Sequence, residues 1–279
     1  MATVLLGLLS AVVWGAADFG GGLLSRRAPV FGVVLVAQIV GMVLSVVLAV
    51  AARETQPPAA DLAWSVGAGL VGAVGITALY RGLAIGRMGV VAPVTGVIAA
   101  LIPVGAGILL EGLPAPIVLV GILLAILAVV LVSRVSDDRD GPSGLELAIL
   151  AGVSLGVFSL CLAQLSDGHQ FGPMAVIRAT ETTLIALVIL VGRSVWRPER
   201  RLIPAIAGIG VLDLAGNAAF LAAIQTGALA VAAILSSLYP VATVILASVF
   251  LHERVTRSHA TGIALAAAAI ACIAAGTAG

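Results

Sequence analysis

The polar segment RVSDDRDGPSG, residues 134–144, interrupts an otherwise apolar chain of 279 residues near its middle. Five of its residues are charged, and the proline and glycines that follow are typical of loops and turns. On either side, long apolar segments continue with only short polar interruptions. The segment therefore predicts a cytoplasmic linker between two halves, residues 1–133 and residues 145–279.

The composition places both halves in a lipid bilayer. Hydrophobic residues make up 61% of the chain and charged residues 10%, with a mean hydropathy of +1.23. Soluble domains are about 45–50% apolar and about 25% charged. The 14 basic residues lie singly or in short groups between apolar segments, and they do not form the basic face that nucleic-acid binding needs. We therefore expect an integral membrane protein with no nucleic-acid partner.

The apolar segments predict ten transmembrane helices, five in each half. A spanning helix needs about 20 predominantly apolar residues, and the runs here are too long and too continuously apolar for transmembrane β-strands. The predicted helices cover residues 3–23, 30–52, 62–82, 88–110, 115–133, 145–165, 172–193, 203–222, 227–250 and 259–277. The predicted fold class is thus all-α, with two five-helix repeats in the membrane.

The arginines predict the orientation of these helices. The even-numbered loops contain only Arg53, and Arg178 lies inside the seventh helix. The odd-numbered loops contain the other twelve, at positions 26, 27, 81, 87, 134, 139, 193, 197, 200, 201, 254 and 257. Cytoplasmic loops are enriched in basic residues. We therefore expect a multi-pass protein of the cell (inner) membrane with both termini on the extracytoplasmic side.

A weak internal repeat suggests that the second half is inverted. Shifting it by about 140 positions brings Gly156 near Gly15, Ser159 near Asp18 and the segment AVAAILSS (230–237) near VVAPVTG (90–96). Five helices is an odd number, so the second repeat must enter the membrane in the opposite direction. Matching loops accordingly have opposite arginine content. Inverted repeats with a central site are typical of secondary transporters.

Several motifs resemble those of a known family. Trp14–Gly15 in the first helix, ALYRGLAIGRMGVVAPV (78–94) and SSLYPVATVILASVFLHERVT (236–256) are similar to the EamA branch of the drug/metabolite transporter superfamily. The resemblance covers essentially the whole chain. It implies a ten-helix carrier of amino acids, related metabolites or drugs, most often an exporter. One departure is LLEGLP (109–114), where the family pattern usually has a basic residue after the glutamate.

Four ionisable residues lie well inside predicted helices and are candidate substrate-binding residues: Asp18, Arg178, Glu181 and Asp213. Charged groups at membrane depth are costly and usually face a bundle interior or water. The spacing places Arg178 and Glu181 on one helix face, and Asp213 and Asn217 on another. A polar contact that merely holds helices together is the structural alternative for any one of them.

Charge balance favours a binding role for the set. One arginine cannot neutralise three carboxylates, so the remaining acids must be protonated or bind a cationic ligand. An amino acid offers an ammonium to an acid and a carboxylate to Arg178. Gln38, opposite Arg178 in the repeat alignment, is a further candidate. Trp14, Tyr80 and Tyr239 either line the same cavity or anchor helix ends at the membrane interface.

Prolines and small residues predict where helices bend and pack. Pro93, Pro103 and Pro240 interrupt the fourth and ninth helices, and are candidate hinges or static kinks. The last helix contains GIALAAAAIACIAAG (262–276), a composition that allows close helix packing. This helix packs within the chain or forms a dimer face, so a monomer and a homodimer both remain open.

The residues present favour a secondary carrier over an enzyme. The chain contains no lysine, so it has no nucleotide-binding P-loop, and it has neither HExxH nor DxxxD. We expect no catalytic residues, metal or cofactor. The predicted activity is alternating-access transport of a small polar metabolite such as an amino acid, coupled to protons or to simple exchange. Efflux of cationic drugs, transport of sugars or nucleobases, and a non-transporting scaffold or receptor are the alternatives.

Overall fold

A computed structural model describes residues 1–85, 88–132, 144–239, 241–242, 246 and 257–277. Within these ranges all regular structure is helical, and no strand occurs. The α-helices are α1 (Ala2–Ser25), α2 (Val30–Ala51), α3 (Ala59–Ile85), α4 (Met88–Glu111), α5 (Pro116–Val132), α6 (Leu145–Leu162), α7 (Phe171–Gly192), α8 (Ile203–Gln225), α9 (Leu229–Ser236) and α10 (Arg257–Thr277). The all-α fold class is confirmed for the described residues, whereas the crossing of the membrane by all ten helices stays a prediction.

The length and apolar composition of the helices indicate a multi-pass membrane protein. Among the described residues, six segments are long and apolar enough to cross a membrane: α1, α2, α3, α6, α7, and α8 with the 3₁₀ turn that precedes it. Shorter apolar helical stretches cover residues 94–110, 116–131 and 260–273. Large apolar side chains such as Leu5, Val50 and Leu190 are exposed on the outside of the bundle. A soluble protein rarely exposes so extensive an apolar surface.

The ninth helix differs from its prediction. A continuous helix was expected over residues 227–250, but α9 ends at Ser236 and a turn follows at Ser237 and Leu238. Proline has no N–H, so a proline at position 240 offers no hydrogen bond to the carbonyl of residue 236. Pro240, the linker residues 134–143 and most of the segment 240–256 lie outside the described residues.

The two ends of the bundle are named here by their contents. The N-terminal end contains the start of α1 and the connections 52–58 and 163–170. The arginine-rich end contains the end of α1, the start of α2 and the connection 193–202. Gly32 at the start of α2 lies against Trp196 and Pro198, so this second connection covers the first turn of α2.

The helices of the first half pack mainly against those of the second. The principal partners are α1 with α8 and α9, α2 with α7 and α8, α3 with α6 and α7, α4 with α6 and α9, and α5 with α10. Exchanging α1–α5 with α6–α10, in order, leaves this set of pairs unchanged. The small residues of α10 face α5, where Gly121 lies against Ala269, Cys272 and Ile273.

Two glycines 141 positions apart make equivalent close contacts. A Cβ atom added at Gly69 of α3 would meet the carbonyl of Ile177 in α7. A Cβ atom added at Gly210 of α8 would meet the carbonyl of Ala37 in α2. Helices approach this closely only where no side chain separates their backbones. The same close contact between a glycine and a carbonyl therefore occurs in both α3–α7 and α8–α2, the two helix pairs that the exchange of halves relates.

We expect Gly210→Val to destabilise the fold because the new side chain meets the backbone of α2, which cannot move independently. Overpacking of this kind costs about 1–3 kcal/mol. Gly208→Val is the matched control, since nothing lies within 4 Å of a Cβ at that exposed position of the same helix. Thermal unfolding in detergent, followed by size-exclusion chromatography, measures the difference. Equal melting temperatures for the two variants would contradict the proposed packing.

Candidate functional site

A cavity of about 90 Å³ lies near mid-height between the two halves. It is smaller than the roughly 150 Å³ apolar cavity that can hold benzene, so the described arrangement admits only a small solute. Its lining comprises Trp14, Asp18, Gln38, Gly72, Ile76, Leu79, Ala99, Pro103, Leu155, Phe158, Ser159, Arg178, Glu181, Asp213, Asn217, Phe220, Ala233, Ser236, Ser237 and Tyr239. Most of the candidate residues from the sequence therefore meet at one place.

Arg178 is the centre of the polar part of this cavity. Its side chain is 2% exposed. One nitrogen, Nη1, lies 2.8 Å from Oε2 of Glu181 and 2.8 Å from Oδ2 of Asp213, and donates a 2.5 Å hydrogen bond to Oε1 of Gln38. A single guanidinium nitrogen thus joins α7 to α8 and α2. Charge-assisted contacts of this kind are the stronger class of hydrogen bond.

The opposite edge of the same guanidinium is unused. Nε and Nη2 of Arg178 are buried and have no hydrogen-bond partner among the described residues. A buried donor without a partner is costly, more so when it is charged, and such groups in native proteins require an explanation such as a bound ion or water. The Nε–Nη2 edge presents two parallel N–H groups, which match the two oxygens of a carboxylate.

Asp213 and Asp18 have different surroundings in the cavity. Asp213 pairs with Arg178, and Nδ2 of Asn217 donates 2.7 Å and 3.2 Å hydrogen bonds to its carbonyl and to Oδ1. Asp18 has no ion pair with another residue among those that the structure describes. Of the three acids considered as partners for Arg178, the structure pairs it with Glu181 and Asp213.

Glycines provide the space in which these side chains lie. A Cβ atom at Gly72 of α3 would meet Oε1 of Glu181 and the ring of Phe158. At Gly41 of α2 it would lie 3.4 Å from Nε of Arg178. The position of the charged cluster therefore depends on the absence of side chains on two neighbouring helices.

The three candidate aromatic residues are all inside the bundle. Trp14 packs against Phe220 with ring centroids 5.3 Å apart, and its indole occupies the space beside Gly216. Tyr239 is buried and lines the cavity. Tyr80 is buried beside Gly21 of α1, but it is not part of the cavity lining. The alternative interpretation as interface anchors does not fit these buried tyrosines.

The candidate hinges fall in different places. Pro103 is buried, lines the cavity and lies within the continuous helix α4. Pro93 lies within the same helix, and Pro240 is outside the described residues. Their role as hinges stays a prediction.

Two functional features were missed by sequence reasoning. The first is a set of further residues that line the cavity: the apolar Phe158 on α6, and the polar Ser236 and Ser237 at the end of α9. The serines belong to the motif SSLYPV, which was noted for its family resemblance only. Phe158 has no signal in the sequence that separates it from phenylalanines facing lipid.

The second missed feature is an acidic latch, formed by Glu54 and Asp61 at the N-terminal end. The carboxylate of Glu54 accepts hydrogen bonds from the backbone N–H groups of Gln170, Phe171 and Gly172, at 2.7–3.2 Å. Asp61 accepts a 2.6 Å hydrogen bond from the hydroxyl of Ser166. An acid in the first turn of a helix is a usual signal, but its partner across 105 positions is not visible in the sequence.

The latch joins the two halves. Glu54 belongs to the connection before α3, and its partners form the N-terminus of α7, where unpaired N–H groups and the helix dipole favour an anion. Thr3 and Thr226 approach within 3.3 Å nearby, and Nε2 of Gln225 donates to the carbonyl of Ser166. These contacts therefore connect the two halves at the N-terminal end of the bundle.

Comparison with known proteins gives two kinds of match. The model of the EamA-like transporter family matches the chain twice, over residues 1–134 and 142–275. Significant structural similarity links it to 29 solved chains. One of these, a crystal structure, has a TM-score of 0.77 and 17% sequence identity, covering 97% of this chain and 95% of its own. At that identity only the fold is shared. No curated protein sequence gives a significant match.

The fold and the cavity define a class, the multi-pass helical membrane proteins with a charged pocket enclosed between two packed halves. Because the family model covers nearly the whole sequence, this chain belongs to the EamA-like transporter family. The family resemblance inferred from the motifs is therefore confirmed.

We expect Arg178→Met to lower the free energy of unfolding by about 3–5 kcal/mol, since it leaves two buried carboxylates without their cation. Arg201→Met is the control, because Arg201 pairs with Glu199 at an exposed surface, where such pairs contribute about 0–1 kcal/mol. Chemical unfolding in mixed micelles measures both. Similar losses for the two variants would mean that the buried cluster does not hold the helices together.

Proposed function

We propose that this protein is a secondary carrier that exports a small zwitterion of the amino-acid type by alternating access. The observation that carries the proposal is that Arg178 lines a cavity together with three acids, while its Nε and Nη2 atoms are buried without a hydrogen-bond partner among the described residues. No enzymatic step is proposed. Substrate binding is assigned to Asp18, Arg178, Glu181 and Asp213, assisted by Gln38, Asn217, Trp14 and Tyr239.

The arginine edge supports a carboxylate as one half of the substrate. Two parallel N–H donors bind a planar anion with two oxygens more specifically than a lysine ammonium does. This pairing would also relieve the cost of leaving the buried donors without a partner. A neutral sugar offers no such group.

The acids support an ammonium as the other half. With Glu181 and Asp213 already paired to Arg178, Asp18 is the acid in this cavity without an ion pair among the described residues. Three ionised carboxylates and one guanidinium leave an excess of two negative charges, one of which an ammonium group would offset. The same acids provide a place where a proton exchanges with the substrate, which is the simplest means of coupling.

The packing supports alternating access between two inverted repeats. Exchange of α1–α5 with α6–α10 preserves the principal helix contacts, and the Gly69 and Gly210 contacts follow the same relation. Two such halves can open toward either side around one central site. We propose that all ten helices cross the inner membrane, with the N-terminal end extracytoplasmic as the arginine distribution indicates. Pro93, Pro103 and Pro240 are the proposed hinges.

Reconstituted vesicles test the substrate class. We expect flux of an amino acid above that of empty vesicles, with loss of flux for its amide, which lacks the carboxylate, and for the analogue without the amino group. Arg178→Lys keeps the charge but not the parallel donors, so KM for the amino acid should rise at least about tenfold. Thermal shift of the purified variant shows whether it remains folded.

The outcomes separate the alternatives. Equal flux of the amide would favour efflux of cationic compounds, since only the acids would then matter. Flux of neutral sugars or nucleobases at the same rate as the amino acid would contradict a role of the Arg178 edge in substrate recognition. Flux of a broad metabolite panel equal to empty vesicles would contradict the carrier proposal and leave a scaffold or receptor.

A second experiment tests the latch and the orientation together. Cys161, one residue before the end of α6, is buried at 7% exposure close to the latch. The variant Glu54→Ala, made in a Cys272→Ser background, removes the carboxylate that accepts hydrogen bonds from three backbone N–H groups. Each hydrogen bond to a charged group contributes about 1.5–3 kcal/mol to stability. We expect labelling of Cys161 by a membrane-impermeant maleimide to become at least about tenfold faster in right-side-out vesicles.

Glu199→Ala is the control, because Glu199 is exposed at the opposite end. Faster labelling only in inverted vesicles would support the latch but would contradict the proposed orientation. Unchanged labelling in both kinds of vesicle would contradict the latch itself.

A further inference from the structure

A second cavity, separate from the charged one, opens on the outside of the bundle. Its volume is about 240 Å³. Residues of α3 form its floor, with Val74 and Thr77 among them, while α6 and α7 form its walls through residues such as Leu150 and Val188. Val74, Leu150 and Val188 are each at least 40% exposed. In a bilayer this groove therefore faces lipid and not water.

The groove has a polar end. Apart from Thr77, Arg81 is the one polar residue among those that line it. Within the described part of the chain Arg81 is exposed and forms no ion pair. It lies four residues before the end of α3, which places it near the arginine-rich end of the bundle.

The dimensions match one leaflet of a membrane. Val74 and Arg81 are seven residues apart on α3, a rise of about 10 Å along the helix. The hydrocarbon of one leaflet is about 15 Å deep, half of a core about 30 Å thick. The apolar length of the groove thus lies at the depth of acyl chains, and Arg81 lies toward the headgroups.

We propose that this groove is a binding site for an anionic phospholipid, with an acyl chain along α3 and the headgroup phosphate at Arg81. An apolar channel with a positive charge at one end complements an amphiphile with a negative head. Basic pockets between transmembrane helices are known to bind acidic lipid headgroups. This inference requires the chain to lie in a membrane, but it does not depend on the transported solute.

The bound lipid would stabilise the contact between the two halves. The floor helix α3 belongs to the first half, and the wall helices α6 and α7 belong to the second. The same three helices also line the charged cavity, through Ile76, Phe158 and Glu181 among others. A lipid that holds these helices together therefore favours the arrangement described here over one in which they separate.

Native mass spectrometry of the purified protein tests the proposal, with phosphatidylglycerol and phosphatidylcholine of identical acyl chains as probes. We expect phosphatidylglycerol to bind more tightly. Arg81→Gln should weaken its binding about fivefold, the effect of one basic residue near an anionic headgroup. Arg81→Lys should restore it. Arg26→Gln, another exposed arginine at the same end, is the control and should leave binding unchanged.

A second variant tests the apolar part of the groove. Val74→Trp fills the floor at an exposed position and should reduce binding of both lipids, whereas Val66→Trp on the same helix lies outside the groove. Equal binding of the two lipids, or equal effects of Arg81→Gln and Arg26→Gln, would overturn the proposal. So would a dimer that Val74→Trp disrupts, since the occupant would then be a second copy of the chain.

Discussion

The structure depends on the burial of one cation. Arg178 lies deep in an apolar bundle, where an isolated guanidinium would be costly, and it is tolerated because Glu181, Asp213 and Gln38 all contact a single nitrogen. These three partners come from α7, α8 and α2, so the requirement to satisfy the charge sets the mutual positions of three helices. The other edge of the guanidinium, Nε and Nη2, is buried without a hydrogen-bond partner among the described residues, and we propose that it binds the substrate.

Close packing is the second requirement, and small residues meet it in the same way in both halves. Gly69 and Gly210 let α3 approach α7 and let α8 approach α2, each against a backbone carbonyl. Gly72 of α3 and Gly41 of α2 leave room for the side chains of Glu181 and Arg178 on α7. In a bilayer an apolar helix surface gains little by leaving lipid for another helix, because both are apolar. Close van der Waals contacts of this kind are therefore a major source of helix association.

The halves are joined differently at different depths. At mid-height the contacts are charged and enclose a cavity, whereas at the N-terminal end the acidic latch binds the start of α7. The latch consists of hydrogen bonds from backbone N–H groups and a serine hydroxyl to two carboxylates, whereas the central cluster consists of charged contacts with a buried arginine.

The sequence by itself determined the class, the all-α architecture and most of the polar residues that line the cavity. Long apolar runs can only be satisfied as membrane helices, and the few buried charges stand out because each is costly, so Asp18, Arg178, Glu181 and Asp213 were identifiable without coordinates. Tertiary structure alone decided that Arg178 pairs with Glu181 and Asp213, while its Nε and Nη2 atoms are buried without a partner among the described residues. It also decided that Tyr80 lies behind the cavity, that Phe158 lines it, and that Glu54 reaches α7. The physical reason is that apolar runs and the free-energy cost of a charge in lipid show which residues must be buried. Which side chains then form pairs depends on how helices that are distant in sequence cross.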